Sequence, residues 1–251
     1  MTNKENVKYY NITELFNMFQ QKISKEEFRN YFEQGKITGK KVENEWYADK
    51  EAIEAFMQIL AKERAFMLET QKIDLTDIIQ EGRILDIGGG GEGIIGQLKG
   101  ENVVAIDLMK EELEGSSKAG DTKSLKIIMD ATELMFLDDS FDIVTAFFSM
   151  MYMSIEDQNG VFKEIYRVLK AQGDLLIWDL NIPNRGNNEK DFFGITLEVK
   201  ISGKTIEVGY ATSWDKEQNI EYFIQLARKI GFKIIEQKLN EHYFFLRLKK
   251  T

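Results

Sequence analysis

Three carboxylates and a run of glycines carry the first chemical signal in this chain. Asp86 follows the short apolar run Ile84-Leu85, and glycines come after it at 88, 89, 90, 91 and 93. Asp107 and Asp130 close two further apolar runs. A strand-end carboxylate can accept hydrogen bonds from the hydroxyls or amines of a polar ligand. Glycine serves where the chain turns with positive φ, or where a ligand must touch backbone with no Cβ in the way. Any one of these acids alone would read as a solvated carboxylate. Three at successive strand ends beside a glycine loop imply a nucleotide-type ligand lying across the carboxyl ends of neighbouring strands. Gly88, Gly90 and Gly93 also satisfy G-x-G-x-x-G, with Asp107 nineteen positions after Gly88. That spacing is found in dinucleotide sites.

The elements that must position these groups can be read from periodicity. Short, largely apolar strands are expected up to Asp86 and at 102–106, 125–129, 141–147 and 174–178. A helix over 158–169 presents Val161, Phe162, Ile165 and Leu169 on one face. Strands of unbroken apolar residues alternating with helices mean a parallel sheet covered on both sides. Residues 195–201 and 205–210 flank Ser202-Gly203-Lys204 as an antiparallel hairpin. A helix from about Asp215 runs through Tyr222, Phe223 and Leu226 to Gly231, and two strands, 233–237 and 243–248, finish the chain. The expected fold class is α/β, with a doubly wound, mostly parallel seven-stranded sheet and an antiparallel C-terminal strand. This domain is expected over 76–251, with 194–210 as an inserted hairpin.

Residues 1–75 are expected to form a separate, mainly helical domain. Ile12, Leu15, Phe16 and Phe19 share one helix face, and Ser24-Lys25-Glu26-Glu27 is a capping-box pattern before Phe28, Tyr31 and Phe32. A small hairpin turns near Glu43-Asn44, and Asp49 caps a long helix through Ile53, Phe56, Met57 and Leu60.

Composition sets the limits. The chain has 251 residues, 43% hydrophobic, no cysteine, one histidine and a net charge of −9. Disulfides, thiolate metal sites and a cysteine nucleophile are excluded, and no metal site is expected. The negative charge argues against broad attraction to nucleic acid. No apolar run is long enough to cross a membrane, and no leader pattern opens the chain, so a cytoplasmic protein is expected.

Two resemblances follow from these residues. Gly35-Lys36-Ile37, Trp46-Tyr47 and Lys50-Glu51-Ala52-Ile53-Glu54-Ala55-Phe56 resemble the helix-turn-helix modules with a wing found in excisionases. That likeness implies DNA contact through Arg29, Asn30, Lys36, Lys40 and Lys41. A helical cap that shapes a pocket is the preferred alternative, because the basic excess is small.

The D-x-G-x-G of Asp86-Gly88-Gly90 resembles the first motif of the class I S-adenosylmethionine (SAM) methyltransferases. Met129-Asp130-Ala131, the run from Leu137 to Val144, and Glu164 to Lys170 with Gly173 resemble later motifs in the same order. The overall style is similar to the ubiquinone/menaquinone-biosynthesis branch. The resemblance implies a Rossmann-like fold, SAM as cofactor and a small-molecule methyl acceptor. It implies that Asp86 orients the loop or the SAM amino group, and that Gly88 and Gly90 admit the methionine moiety. Asp107 would accept the ribose hydroxyls. Asp130 and the Ala131 N–H would meet adenine, Leu108 would pack on its face, and Phe147 would stand beside the cofactor. Tyr152 and Asp179 are the acid–base candidates. Trp178, Asn181 and Tyr210 are candidates for the acceptor pocket, with Tyr9 and Tyr10 from the cap, and the segment from 178 to 193 could close it as a lid. The sequence departs from the family at Glu92, which stands at the third glycine position, and at Ala171-Gln172-Gly173, which replaces Pro-Gly-Gly. Met150 to Met153 lacks the histidines of many relatives. Competing expectations are an NAD-binding oxidoreductase and a DNA-binding regulator whose methyltransferase-like domain senses SAM.

Overall fold

The computed structural model describes residues 7–19 and 23–251. Residues 1–6 and 20–22 of the expected N-terminal domain lie outside the described residues. Two compact units divide the chain: one runs through Phe66 and includes Glu189–Phe192, the other holds Met67–Asn188 and Phe193–Thr251.

The first unit contains β1 (Tyr9–Asn11), α1 (Ile12–Met18), α2 (Lys25–Glu33), β2 (Lys40–Val42), β3 (Glu45–Asp49) and α3 (Lys50–Arg64). Each helix starts on a side-chain cap, because its first N–H groups have no partner within the helix. Asn11 and Ser24 make capping boxes with Glu14 and Glu27, and Asp49 accepts from the Ala52 N–H at 2.9 Å. Glu43 and Asn44 take φ of 47° and 71°, the positive pair that turns a tight hairpin. The strand order is β1-β3-β2, and Leu15, Phe28, Phe32, Phe56 and Leu60 lie in the core of the unit.

The expected DNA-contact residues are partly engaged within this unit. Lys36 pairs with Glu63 at 2.7 Å. Lys40 lies 3.4 Å above the Tyr9 ring and Lys41 5.6 Å above that of Trp46. Arg29 and Asn30 are exposed. Residues 189–192, expected to belong to a lid, are tied to α3. The Arg64 side chain donates to Asp191 at 2.7 Å, and Lys190 donates to the Glu63 carbonyl at 2.7 Å.

The second unit is built from β4 (Ala65–Asp74), β5 (Ile84–Ile87), α4 (Ile94–Lys99), β6 (Val103–Asp107), α5 (Lys110–Ala119), β7 (Leu125–Ile128), β8 (Phe141–Phe147), α6 (Ile155–Val168), β9 (Leu169–Leu180), β10 (Phe192–Ile201), β11 (Lys204–Ser213), α7 (Ile220–Ile230), β12 (Phe232–Leu239) and β13 (Tyr243–Lys250). Seven strands form one sheet in the order β12-β13-β9-β8-β5-β6-β7. The pairs β5–β6, β5–β8, β6–β7 and β8–β9 are parallel, and β13 runs antiparallel to both β9 and β12. This is a Rossmann-like α/β fold with a mostly parallel sheet. Alternate strand residues enter different layers. Ile84, Val103, Ile143 and Trp178 pack with α4, α5 and β10, whereas Leu85, Val104, Val144 and Ile177 pack with α6 and α7.

Several elements differ from the expected ones. β9 covers twelve residues rather than the short run 174–178. α6 begins at Ile155 because Ser154 caps it, and α7 begins after Asn219 rather than Asp215. β4 was not expected at all. It pairs with β10 in a second sheet, β11-β10-β4. Its sequence, AFMLETQKID, follows α3 directly without a turn residue and has mostly exposed side chains. That gives neither a breaker nor a clean alternation to read.

Gln172 stands where the resembled Pro-Gly-Gly motif carries glycine, and its φ is 64°. A non-glycine residue in this left-handed region costs roughly 1–2 kcal/mol, while glycine adds about 0.5–1 kcal/mol of unfolded-state entropy. Gln172→Gly is therefore expected to stabilise the fold by about 0.5–1 kcal/mol, a rise of roughly 1–4 °C in Tm for a chain of this size. Scanning calorimetry measures it, and a lower Tm would mean that the Gln172 side chain supports the turn.

Candidate functional site

The loop from Gly88 to Gly93 lies over the carboxyl ends of β5 and β6. The Gly89 N–H donates to the Ile106 carbonyl at 3.0 Å, and the Gly91 N–H to the Glu112 carbonyl at 3.1 Å. Two glycines make the loop possible. At Gly88, φ is 69° and a Cβ would stand 2.6 Å from Ser149 Cβ. At Gly90 a Cβ would stand 2.5 Å from Glu112 Cβ and 2.7 Å from Asp107 Oδ2. Any side chain at either position would displace the loop or its neighbours.

The three strand-end acids are not equivalent. Asp86 is buried beneath the loop, where its Oδ1 accepts from Thr145 Oγ1 at 2.7 Å. Burial pushes its pKa up to about 7, with the Thr145 bond opposing and the charges of Asp121 and Asp107 adding to the rise. Asp107 is half-buried and accepts from the Met109 N–H at 2.9 Å. Burial raises its pKa against backbone hydrogen bonds from Met109, Gly90 and Leu108. Asp130 is exposed. Its Oδ1 accepts from the Thr132 N–H at 2.8 Å and from Thr132 Oγ1 at 2.7 Å, and these bonds hold its pKa down. Leu108, beside Asp107, leaves 67% of its surface open, and the Ala131 side chain is buried.

Across from the loop, β8 ends at Phe147 and a short turn carries Met150–Tyr152. Sequence reasoning missed Ser149, which lies between them. It is 6% exposed, its hydroxyl has no hydrogen-bond partner, and it faces Gly88. A serine beside an apolar Phe-Phe run is the only signal the sequence offers. Tyr152 keeps 45% of its surface exposed while its hydroxyl turns inward to the backbone of Ala211. Burial of the phenol, then the charges of Asp179, Glu112 and Glu92, push its pKa well above the usual tyrosine range. A phenol shifted in this direction gives up its proton less readily, which disfavours the expected use of Tyr152 as a base. Tyr210 from β11 stacks on Phe148 at 5.1 Å. Burial raises its pKa, and the charges of Glu92, Tyr152 and Asp86 add to the rise.

Asp179, the second acid–base candidate, is fully buried and committed to structure. It accepts from the Leu180 N–H at 2.7 Å, from Gln218 Nε2 at 2.8 Å and from the Met151 N–H at 3.1 Å. Burial pushes its pKa up to about 7 against these bonds. Asp179 fastens the Met150–Tyr152 turn to β9 and has no free face for an acceptor. Trp178 is also corrected. It is 1% exposed, with its ring 4.7 Å from that of Phe245 and 5.7 Å from that of Phe147, so it is core rather than pocket wall. Phe147 is buried in the same layer, so only its backbone could meet a ligand. Asn181 donates its N–H to the His242 carbonyl at 2.9 Å, on the β13 side of the sheet. Of the three expected acceptor residues, Tyr210 alone packs its ring against Phe147 and Phe148 at the end of β8 while staying partly exposed.

Parts of the chain are similar to known proteins. Residues 85–177 match the family model described as "Methyltransferase domain". Phosphoethanolamine N-methyltransferase of Plasmodium falciparum is 28% identical over 148 residues, covering 56% of this chain and 55% of that protein. Demethylmenaquinone methyltransferase of Clavibacter sepedonicus is 37% identical over 105 residues, covering 40% of this chain and 42% of that protein. The chain thus spans about half the length of these curated relatives. A crystal structure of a SAM-dependent methyltransferase from Methanosarcina mazei superposes with a TM-score of 0.53 at 19% identity, over 71% of this chain and 99% of that one. Residues 85–177 thus resemble a methyltransferase domain, and the solved structure shares the Rossmann-like fold.

Proposed function

We propose that this chain is a SAM-dependent methyltransferase that acts on a small-molecule acceptor. The observation that carries the reading is the cradle at the carboxyl ends of β5, β6 and β8. Gly88 and Gly90 leave no room for a Cβ, Asp107 offers carboxylate oxygen at the loop edge, and Ser149 holds a buried, unpartnered hydroxyl toward it. These residues fit the cofactor. Gly88, Gly90 and Ser149 would hold its methionine end, Asp107 its ribose hydroxyls, and Asp130 with the Ala131 N–H its adenine edge. The exposed side chain of Leu108 would cover an adenine face. When bound, the sulfonium supplies an already activated methyl group. The protein's part is then chiefly alignment of the acceptor, with Tyr152 and Tyr210 as aromatic walls beyond the end of β8 and Asp86 as the brace beneath the loop. Relatives named for a quinone ring and for phosphoethanolamine both methylate small molecules, which supports that size of acceptor.

Calorimetric titration tests the cofactor: SAM should bind and NAD should not. Ser149→Ala sharpens the test. A buried hydroxyl without a partner contributes nothing to the free protein, and leaving it unsatisfied costs about 1–3 kcal/mol. The variant should therefore match or exceed the wild-type Tm while binding SAM about fivefold to tenfold more weakly, the worth of one net hydrogen bond. A lower Tm with unchanged SAM affinity would make Ser149 a structural residue only.

A further inference from the structure

The chain between β8 and α6 is held by side chains from four separate places. It begins at Phe148, whose φ of 51° is a left-handed conformation that a residue with a Cβ adopts only at a cost. Directly after it, Ser149 faces Gly88, with its Cβ 2.6 Å from where a Cβ on that glycine would stand. Strained backbone persists only where its surroundings over-determine it. The surroundings here are polar and largely buried. Gln158 from α6 donates to the Met150 carbonyl at 2.8 Å. Asp179 from β9 accepts from the Met151 N–H at 3.1 Å, and Thr212 from β11 donates to the Met151 carbonyl at 3.1 Å. Lys216, between β11 and α7, donates to the Met153 carbonyl. Gln218 ties two of these holds together. It is 2% exposed, and its backbone exchanges hydrogen bonds of 2.7 and 2.9 Å with Ile182. Its Nε2 donates to Asp179 Oδ1 at 2.8 Å and to the Leu180 carbonyl at 3.1 Å, while its Oε1 accepts from Gln158 Nε2 at 3.1 Å. A side-chain amide carries donor and acceptor on one head, so it can hold a carboxylate and a second amide at once. Gln158, Asp179, Thr212 and Gln218 are all buried. Such bonds add little net stability, because each replaces one made to water. What they secure is position, and a misplacement of about 1 Å is enough to weaken a site.

We infer that Gln218 is a positioning residue of the cofactor site: through Asp179 and Gln158 it fixes the turn after β8 and so holds the Ser149 hydroxyl at Gly88. This rests on the cofactor site proposed above. Gln218 acts on the cofactor only through the turn. Without its amide, Asp179 loses one of its three donors and Gln158 loses its acceptor, and the two holds on Met150 and Met151 are no longer tied to each other.

The test uses the full chain. Gln218→Met keeps the length of the side chain and removes both polar atoms. It should bind SAM about fivefold to tenfold more weakly than wild type, the same loss as Ser149→Ala. Hydrogen exchange should quicken over residues 149–153 while β5 and β6 keep their protection. A double-mutant cycle with Ser149→Ala decides the route. Residues of one network do not add, so the double variant should bind SAM within about twofold of Ser149→Ala. Losses that multiply in the double variant would overturn the inference, because the two residues would then act independently. So would wild-type SAM affinity in Gln218→Met, whatever its Tm, since Gln218 would then serve the fold alone, and so would unchanged exchange over 149–153. Gln218→Asn keeps an amide on a stem one methylene shorter, and it enters the same cycle where Gln218→Met does not fold, with the same outcomes deciding. Failure of the wild-type chain to bind SAM, or wild-type affinity in Ser149→Ala, would instead remove the cofactor reading, and this inference with it.

Discussion

Asp107→Ala is expected to bind SAM about tenfold to a hundredfold more weakly than the wild-type chain. The carboxylate stands at the end of β6 with Oδ2 against Gly90 and Oδ1 accepting from the Met109 N–H, and in the proposed cofactor site it accepts from the ribose hydroxyls. Hydrogen bonds to a charged acceptor are worth about 1.5–3 kcal/mol, which sets that range. Relief of repulsion toward Glu112, whose pKa Asp107 helps to raise, works in the other direction and keeps the loss from growing larger. Asp107→Asn retains one acceptor oxygen and should fall between the two. Circular dichroism and Tm establish that each variant is folded, and calorimetry gives the affinity. A folded Asp107→Ala protein with wild-type affinity would take Asp107 out of the cofactor site and leave the glycine loop without its ribose partner.

The sheet and the loop were legible in the sequence because both are written locally. Apolar runs ending in Asp86 and Asp107, followed by glycines or by a helix start, need no distant partner to be read. The positive-φ turns at Glu43-Asn44 and at Ser202-Gly203 were legible for the same reason. What stayed hidden depends on partners far along the chain. β4 is a strand because β10, more than a hundred residues later, offers it an edge, and its own residues do not alternate cleanly. Trp178 and Asp179 follow one another at the end of a central strand, where sequence reasoning puts a pocket. The pleat turns the indole into one layer against Phe245, and Gln218, thirty-nine positions on, occupies the carboxylate. Ser149 is the opposite case. Nothing in its sequence surroundings marks it, and only burial without a partner reveals it.

Trp178→Ala is expected to destabilise the second unit by about 3–5 kcal/mol, the range for removing a large aromatic from a packed core. That is a large part of the roughly 5–15 kcal/mol that holds a typical domain folded. The indole packs against Phe147 and Phe245, while Phe147 in turn contacts the Phe148 and Tyr210 rings. The cavity left behind would therefore loosen the aromatic contacts that hold Tyr210 at the end of β8, so lost acceptor binding in this variant would follow from lost packing. Trp178→Phe separates the two effects. It keeps a ring in the layer, should cost less, and should bind SAM within about threefold of wild type, since an affinity change much below 1.4 kcal/mol is less than tenfold. Denaturant unfolding of both variants, read beside SAM titration of Trp178→Phe, measures the outcome. A loss below about 1 kcal/mol in Trp178→Ala, well short of the core range, would return Trp178 to the wall of a pocket and place the acceptor beside it.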